Sequence, residues 1–347
     1  MRYATHQVTD QDVQAVTEVL RSEWLTQGPR VEQFEAALCE YTGARYAVAV
    51  NSGTAALHLC YETLTRSTGS TLVMTTPLSF VATANAALHA GHEVVFGDVF
   101  ADTGNMAPPL RRIKVAVPVH YGGRPADVRS LMAPTVIEDA CHAMGAMDYD
   151  GCSRVGSCAH SLATAFSFHP VKPMTTAEGG AVTTNDQGFA DEVRLLRSHG
   201  RLDGEMVALG FNYRMPDVLA ALGLSQLRRV DEMRQHRLRL SEIYRELIPQ
   251  FAPPPSPNSS WHLYPIRIRG GRRDAVRLAM TGQGIGVQVH YPCIHLQPYW
   301  RRRYGFTEGS YPEAEAWAAE ELSLPLHAGM TRADVERVVK ALEVAIG

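Results

Sequence analysis

Two hydrophobic periodicities alternate along the chain and predict its secondary structure. Apolar positions three and four residues apart predict helices from about Asp10 to Ser22 and from about Pro29 to Tyr41. Between Tyr46 and about Asp186, short β-branched runs alternate with helical segments. The predicted strands are residues 47–50, 71–76, 93–99, 114–121, 135–140 and 180–186, and the predicted helices between them are residues 53–64 and 79–90. This alternation favours an α/β fold with a mostly parallel sheet wrapped by helices.

The C-terminal part of the chain has a different pattern. A long helical stretch is predicted from about Met215 to Leu247, and the proline-rich run at residues 252–260 indicates a linker. The elements predicted beyond it are strands near residues 262–269 and 286–291 and a final helix at about residues 331–346. We therefore predict a large domain over residues 1–250 and a small C-terminal α/β domain over residues 251–347.

Composition and charge exclude several classes of protein. With 33 basic and 36 acidic residues the net charge is −3 over 347 residues, which gives no footprint for a nucleic-acid backbone. No apolar run approaches the roughly 20 residues of a membrane helix, and the first twenty residues lack the apolar core of a signal peptide. The six cysteines form no CxxC pair and the histidines no HExxH pattern, so we predict no metal site. These features predict a cytoplasmic protein that binds neither nucleic acid nor membranes.

Lys172 is the first candidate for chemistry. A lysine taken alone is usually a solvated surface charge, and that alternative stays open. Lys172, however, lies in the run SFHPVKPMTTAEGGAVTTND (167–186), where it follows a strand-like segment and is flanked by prolines. Apolar and small neighbours would desolvate the ammonium and lower its pKa. A neutral amine can then attack a carbonyl to form a Schiff base.

Three further features predict a site for an aromatic phosphate. Asp139 ends a predicted strand, where open α/β sheets bind ligands; it could cap a helix or pair with the ring nitrogen of pyridoxal 5'-phosphate (PLP). The turn at residues 51–54 opens a helix and could hold a phosphate, although such turns are often glycine-rich for steric reasons alone. Phe80 could stack on a flat ring or pack in the core.

Nine sequence blocks are spread in order over nearly the whole chain. They are LTQGP (25–29), NSGTAALHL (51–59), TTPLSFVATANA (75–86), VPVHYGG (117–123), VIEDACHAMGA (136–146), SFHPVKPMTTAEGGAVTTND (167–186), RSHG (197–200), GFNYRMPDVLAALGLSQL (210–227) and SLPLH (323–327). Together they resemble the DegT/DnrJ/EryC1/StrS family of PLP-dependent nucleotide-sugar aminotransferases. The resemblance implies a fold type I (aspartate aminotransferase-like) architecture, a PLP cofactor, and transamination between an amino acid and a nucleotide-linked keto-sugar.

Four shorter blocks point to one branch of this family. LTQG, SFHPVKPMTTAEGG, ALGLSQL and GVQVHY are similar to the branch that aminates UDP-4-keto-6-deoxy-N-acetyl-β-L-altrosamine in pseudaminic acid biosynthesis. The resemblance implies L-glutamate as the amino donor. Two alternatives stay open: another 3-keto or 4-keto UDP- or dTDP-sugar as substrate, and a PLP-fold protein that binds a sugar nucleotide without catalysis. A sugar dehydratase of the same fold has a histidine in place of the lysine, so Lys172 argues against that activity.

The resemblance also implies a role for individual residues. Lys172 would carry the cofactor as a Schiff base and shuttle a proton, and Asp139 would hold the pyridine nitrogen. Phe80 would stack on the ring, and His142 would lie near its hydroxyl. The residues that would bind the phosphate are Gly53, Thr54 and Ser167, joined by Asn212. The residues in segments similar to those that face the sugar nucleotide in the family are Tyr3, Leu25, Thr26, His290 and Tyr291.

Two consequences for the assembly and the fold follow from the resemblance. Asn212 would reach the phosphate from the neighbouring subunit, which predicts a homodimer with composite active sites. The stretch between Asp98 and Val115 is shorter than the family pattern and leaves no room for a full crossover helix.

Overall fold

A seven-stranded sheet lies at the centre of the protein, which is seen in a computed structural model that describes residues 1–109 and 112–347. Its strands are β1 (Tyr46–Val50), β2 (Leu72–Thr75), β3 (Glu93–Phe96), β4 (Val115–Val117), β5 (Thr135–Asp139), β6 (Ala163–Ser167) and β7 (Gly180–Thr184). They are arranged in the order β1-β7-β6-β5-β4-β2-β3. The pairs from β6 to β3 are parallel, and β7 is antiparallel to both β1 and β6. The prediction of a mostly parallel sheet is confirmed.

Helices cover both faces of this sheet, which explains its nearly uninterrupted apolar strands. They are α1 (Asp10–Leu20), α2 (Pro29–Thr42), α3 (Gly53–Thr68), α4 (Ala82–His89), α5 (Gln187–Arg197), α6 (Asp217–Leu227) and α7 (Val230–Leu247). One core forms where α3, α4 and α5 pack on one face, and a second forms where α2 and α6 pack on the other. The predicted helical stretch from Met215 to Leu247 is thus two helices, interrupted at Arg228 and Arg229.

A short hairpin and a smaller C-terminal region complete the fold. The hairpin strands are β8 (Arg201–Leu202) and β9 (Glu205–Met206), and the C-terminal elements are β10 (Tyr264–Arg267), α8 (Arg273–Gly282), α9 (Pro298–Tyr304), α10 (Pro312–Glu320), β11 (Glu321–Leu324) and α11 (Arg332–Ile346). Strands β10 and β11 pair antiparallel, and α8 and α11 pack with them in a separate core. Leu240 and Tyr244 of α7 also belong to that core, and the boundary at residues 250 and 251 stays a prediction.

The strand predicted at residues 286–291 is wrong. The segment makes one isolated bridge, between Gln288 and Ser323. Beyond it, side chains replace the partners that a neighbouring strand would supply: the His290 N–H donates to the carboxylate of Glu321, and the Tyr121 hydroxyl donates to the His290 carbonyl. The segment therefore follows the sheet edge without joining it.

The connection from β3 to β4 is short, as predicted. Residues 98–109 and 112–114 contain no helix. Residues 110 and 111 fall in the same stretch and lie outside the described residues. Within the ranges that the structure describes, no helix is long and apolar enough to cross a membrane.

Candidate active site

A cavity of about 460 Å³ lies where β5 and β6 end and α3 begins. We call it the strand-end cavity. Its volume is in the range of roughly 300 to 1,000 Å³ that is usual for small-molecule sites. The residues predicted for the site that line it are Gly53, Thr54, Phe80, Asp139, His142, Ser167, Lys172 and Tyr291. The fold therefore brings together residues that are up to 238 positions apart in the sequence, from Gly53 to Tyr291.

Asp139 is the last residue of β5 and is 3% exposed. Its Oδ2 atom accepts a hydrogen bond from the Thr83 hydroxyl at 2.7 Å, and its Oδ1 atom accepts one from the Cys141 N–H at 3.1 Å. No helix begins after β5 in the described chain before residue 187, apart from two-residue turns, so the helix-cap alternative is wrong. The two donors instead fix the orientation of a carboxylate that lines the strand-end cavity.

Lys172 lies in the loop that follows β6. Its backbone N–H donates to the His169 carbonyl at 2.9 Å, which forms a tight turn and directs the residue to the strand-end cavity. Burial lowers the pKa of its ammonium, although Cys141 and Asp139 oppose that shift. A larger fraction of the side chain is therefore a neutral amine than for a surface lysine, and the surface-charge alternative is wrong.

His142 and Tyr291 form a hydrogen-bonded pair at the cavity. The His142 Nε2 atom is 3.0 Å from the Tyr291 hydroxyl, and the Gly122 N–H donates to His142 Nδ1 at 3.3 Å. Because Nδ1 accepts, the proton of the neutral ring is on Nε2 and is donated to Tyr291. Burial, and after it the positive charge of Lys172, holds the pKa of His142 well below its usual value. The ring is therefore neutral at physiological pH.

The first turn of α3 has the features of an anion site. Ser52 caps the helix by accepting a hydrogen bond from the Ala55 N–H at 3.1 Å, and the N–H groups of Gly53 and Thr54 lie in the first turn, where a helix has no partners for them. A Cβ atom on Gly53 would be 2.6 Å from the Ser167 Cβ, so a side chain there would fill the space. A phosphate group fits this place, because the free backbone N–H groups, the hydroxyls of Thr54 and Ser167 and the positive end of the helix dipole meet there.

The aromatic residues predicted for the site lie at one side of the cavity. Phe80 is 56% exposed, so the core-packing alternative is wrong, and its ring centroid is 6.1 Å from that of Tyr291. The Tyr3 and His290 rings are 5.2 Å apart, and the His290 and Tyr291 rings are 4.9 Å apart. Tyr3 and His290 do not line the strand-end cavity themselves; His290 contacts Tyr291, which does, and Tyr3 contacts His290.

Three predicted residues lie away from the cavity of their own chain. Leu25 and Thr26 are exposed and are held against α6: the Asp217 N–H donates to the Leu25 carbonyl at 3.0 Å, and Thr26 bridges to Pro216. Asn212 is also exposed, and its carbonyl accepts a hydrogen bond from the Asn51 side chain at 3.3 Å. The roles of all the predicted site residues stay predictions.

Sequence reasoning missed the residues that support Asp139. Thr83 lies three residues after Phe80 in the block 75–86, a spacing that places both on one side of a helical turn, and this was the available signal. Cys141, His169 and Glu178 also line the cavity. None of these belongs to a pattern that indicates chemistry by itself.

Comparisons with known proteins identify a family and a fold for this chain. Residues 6–343 match the DegT/DnrJ/EryC1/StrS aminotransferase family. The UDP-4-amino-4,6-dideoxy-N-acetyl-beta-L-altrosamine transaminase of Campylobacter jejuni is 38% identical over 97% of this chain and 96% of its own length. Helicobacter pylori PseC, an aminotransferase involved in pseudoaminic acid biosynthesis, has a TM-score of 0.92 at 33% identity and covers 99% of this chain and 98% of its own. NtdA from Bacillus subtilis, solved with bound cofactor PMP, has a TM-score of 0.87 at 27% identity. The match covers 98% of this chain and 83% of NtdA.

Proposed function

This chain belongs to the DegT/DnrJ/EryC1/StrS aminotransferase family, and we propose that it transfers an amino group from L-glutamate to UDP-4-keto-6-deoxy-N-acetyl-β-L-altrosamine. The predicted family, the fold type I architecture and the class of sugar aminotransferase are confirmed. One observation carries the sugar assignment: a relative named for this type of amino sugar is 38% identical over 97% of the chain. The amino donor follows from the family resemblance.

The family and the PMP-bound relative imply dependence on PLP, and the residues of the strand-end cavity fit this cofactor. PLP, when bound, supplies an electron sink for proton removal at the substrate carbon. The Asp139 carboxylate would accept the N–H of the pyridine ring, held in place by Thr83 and the Cys141 N–H. The first turn of α3 and the Ser167 hydroxyl would bind the phosphate.

Lys172 would act twice. Its amine, with a pKa lowered by burial, would hold the cofactor covalently and would be displaced by the incoming amino group. Once free, the same amine would carry a proton between the substrate carbon and the C4′ atom of the cofactor. Both half reactions would use one cavity, because the donor amino acid and the keto-sugar carry their reacting atoms to the same position.

The aromatic side of the cavity would orient the two substrates. Phe80 would cover one face of the cofactor ring, and the neutral His142 ring would donate from Nε2 to Tyr291 and hold its hydroxyl beside Lys172. Tyr3 and His290, packed next to Tyr291, would contact the sugar nucleotide. Leu25 and Thr26, on the segment held by Asp217, would contact it further from the reacting carbon.

A homodimer would complete the site. Asn212 does not line the cavity of its own chain, and the hairpin and the residues between it and Asn212 carry exposed apolar side chains. These are Leu202, Met206, Val207 and Leu209. A cluster of exposed apolar residues of this kind favours association with another surface. In a dimer, Asn212 would donate to the cofactor phosphate bound by the second copy.

An assay with a substrate panel tests the proposal. The purified, PLP-loaded protein and its Lys172→Ala variant would be incubated with L-glutamate and with 3-keto and 4-keto UDP- and dTDP-sugars, and the amino sugar and 2-oxoglutarate measured by mass spectrometry. We expect the highest kcat/KM with UDP-4-keto-6-deoxy-N-acetyl-β-L-altrosamine. Preference for another keto-sugar would replace the proposed substrate. If no sugar of the panel is aminated, the result would favour a protein that binds sugar nucleotides without catalysis.

A further inference from the structure

A buried carboxyl group lies behind the aromatic side of the cavity. Glu321, the first residue of β11, is 0% exposed, and its Oε2 atom accepts a hydrogen bond from the His290 N–H at 2.6 Å. Its Oε1 atom is hydrogen-bonded to the Ser323 hydroxyl. The same Ser323 oxygen is 2.9 Å from His290 Nδ1. A continuous chain of hydrogen bonds thus runs from Glu321 through Ser323 to the imidazole ring of His290.

Among the residues that the structure describes, Glu321 has no ion pair to compensate its burial. The titratable groups that face it are Tyr3 of the N-terminal segment, Tyr121 of the turn after β4, Tyr291 of the segment after residue 286, and Arg273 of α8. Arg273 donates to the backbone carbonyl of Glu321 at 3.0 Å and pairs with Asp274 at 2.8 Å. Arg267, opposite Glu321 on β10, pairs with Glu320 instead, at 2.7 Å.

Burial therefore decides the protonation of this group. Burial raises the pKa of Glu321 to about 8. The hydrogen bonds from Ser323 and His290 and the charge of Arg273 lower the pKa, but burial has the larger effect. Burial, and after it Lys172, lowers the pKa of His290 to about 3. At neutral pH the acid is protonated, and the imidazole is neutral with one N–H, on either Nδ1 or Nε2.

The two protonation states of Glu321 require opposite directions along the hydrogen-bond chain. In the neutral acid, Oε2 must still accept from the His290 N–H, so the proton is on Oε1 and is donated to Ser323. Ser323 then donates to His290 Nδ1, and the ring carries its proton on Nε2. In the ionised acid, Ser323 donates to Oε1, and His290 Nδ1–H donates to Ser323. Nε2 is then an unprotonated acceptor.

We propose that Glu321 is a positioning residue which sets, through Ser323, whether His290 presents a donor or an acceptor at Nε2. The Nε2 atom makes no hydrogen bond to any residue within the described ranges, and the ring packs between Tyr3 and Tyr291. The assignment of the sugar nucleotide as the group that meets Nε2 rests on the proposed function. The hydrogen-bond chain itself does not depend on that function.

The proton position on His290 can be measured directly. The PLP-loaded protein labelled with 15N-histidine would be titrated from pH 6 to 9.5, with His290 assigned by the signal lost in His290→Gln. We expect the protonated nitrogen of His290 to change from Nε2 to Nδ1 with a midpoint near pH 8. A His290 ring whose protonated nitrogen stays the same over this range would overturn the proposal.

Three variants separate the parts of the chain of hydrogen bonds. In Glu321→Gln the amide must keep its oxygen toward the His290 N–H, so its NH2 group donates to Ser323 and the Nε2–H form should persist at every pH. Ser323→Ala removes the connection: the carboxyl band of Glu321 in the infrared spectrum should still titrate, while His290 no longer responds. Glu320→Gln, a neighbouring carboxyl group paired with Arg267, is the matched control and should behave like the wild type. A normal His290 response in Ser323→Ala would overturn the relay.

Kinetics then connect the switch with the substrate. We expect KM for the keto-sugar, rather than kcat, to change through pH 8 in the wild type and in Glu320→Gln, and this step to be lost in Glu321→Gln. The half reaction with L-glutamate should show no such difference. If the protein aminates no sugar, the proposed function is wrong. The NMR titration then still decides whether Glu321 sets the proton position on His290. Turnover with an unchanged pH profile in Glu321→Gln would contradict the link between His290 and the sugar.

Discussion

The two sides of the strand-end cavity are built in different ways. On the sheet side, Asp139, His142, Ser167 and Lys172 come from one stretch of 34 residues, and each follows directly from the end of β5 or β6. On the C-terminal side, the Tyr3 ring contacts the ring of His290, and the His290 N–H donates to Glu321 of β11. One side is thus set by the carboxyl ends of adjacent strands, and the other by contacts between distant segments.

In the proposed function, this difference separates chemistry from recognition. The sheet side holds an amine of lowered pKa and a fixed carboxylate, the groups that transamination uses whatever the sugar. The C-terminal side holds neutral aromatic and imidazole groups whose hydrogen-bonding character depends on their surroundings. Substitutions on the sheet side should therefore reduce turnover for every substrate, whereas those on the C-terminal side should change affinity and pH dependence.

The largest expected effect is on the sheet side, at Asp139. Asp139→Asn keeps the size of the side chain and the contact with Thr83, but it removes the negative charge that would keep the cofactor ring protonated. We expect kcat to fall about 10²- to 10³-fold, the range for loss of one preorganised electrostatic group. The measurement is steady-state amino transfer, with circular dichroism to verify the fold. Asp150→Asn, on the surface, is the matched control, and near-wild-type turnover of Asp139→Asn would contradict the assignment.

The second prediction concerns the proposed contribution of Asn212 from another copy of the chain to the sheet side of the cavity. Lys172→Ala and Asn212→Ala should each impair the homodimer. A heterodimer of the two variants contains one site with both residues intact, and a second site with both lesions. We therefore expect the heterodimer, once separated from the two homodimers, to have about half the activity of the wild-type dimer.

This test depends on two controls. Asn212→Ala alone must be clearly impaired, and formation of the heterodimer must be verified with distinguishable tags. Given both, absence of recovery would mean that Asn212 serves the site of its own chain, and the composite-site proposal would fall.

The last expected effect concerns stability, rather than activity, and arises on the C-terminal side. A carboxyl group has a pKa near 4.5 in the unfolded chain, while burial raises that of Glu321 to about 8 in the folded protein. Between these values the folded state binds a proton that the unfolded state has lost, so this group lowers stability progressively as pH rises, by up to about 1.4 kcal/mol per pH unit. Above pH 8 the folded state has released the proton as well, so stability falls no further through this group. Glu321→Gln removes this dependence.

Unfolding in urea at pH 5, 6.5 and 8.5 measures the difference. We expect Glu321→Gln to be more stable than the wild type at pH 8.5 and the difference to shrink toward pH 5. Glu320→Gln, whose carboxylate is paired with Arg267, should show no such trend. A constant difference across the three pH values would mean that Glu321 is ionised throughout.

The sequence predicted which residues line the sheet side, because they lie at strand ends and turns that short sequence patterns indicate. Strand ends, the turn before α3 and the block around Lys172 each indicate a position and a residue type together. The short β3 to β4 connection was predicted instead from its length, which is less than the family pattern requires for a crossover helix. The strand predicted at residues 286–291 failed because alternation alone does not reveal that Glu321 and Tyr121 side chains take the place of a partner strand.

Glu321 itself could not be predicted from the sequence. An acidic residue beside Glu320 at the end of a helical run is usually a surface charge. Its burial results from the packing of the N-terminal segment, β11 and the segment of His290, which lie far apart in the chain. Thr83 was missed for a related reason, since a threonine acquires a role only when Asp139 lies within hydrogen-bond distance.

The central claim is that Lys172 on the sheet side carries the cofactor, and the chain allows a direct measurement. Its three lysines are Lys114, Lys172 and Lys340, of which Lys114 and Lys340 are exposed. The PLP-loaded protein would be reduced with borohydride, digested and mapped by mass spectrometry, with Lys340→Ala as the control variant. We predict the pyridoxyl group on Lys172 in both proteins. A pyridoxyl group on Lys114 or Lys340, or none on Lys172, would contradict the account.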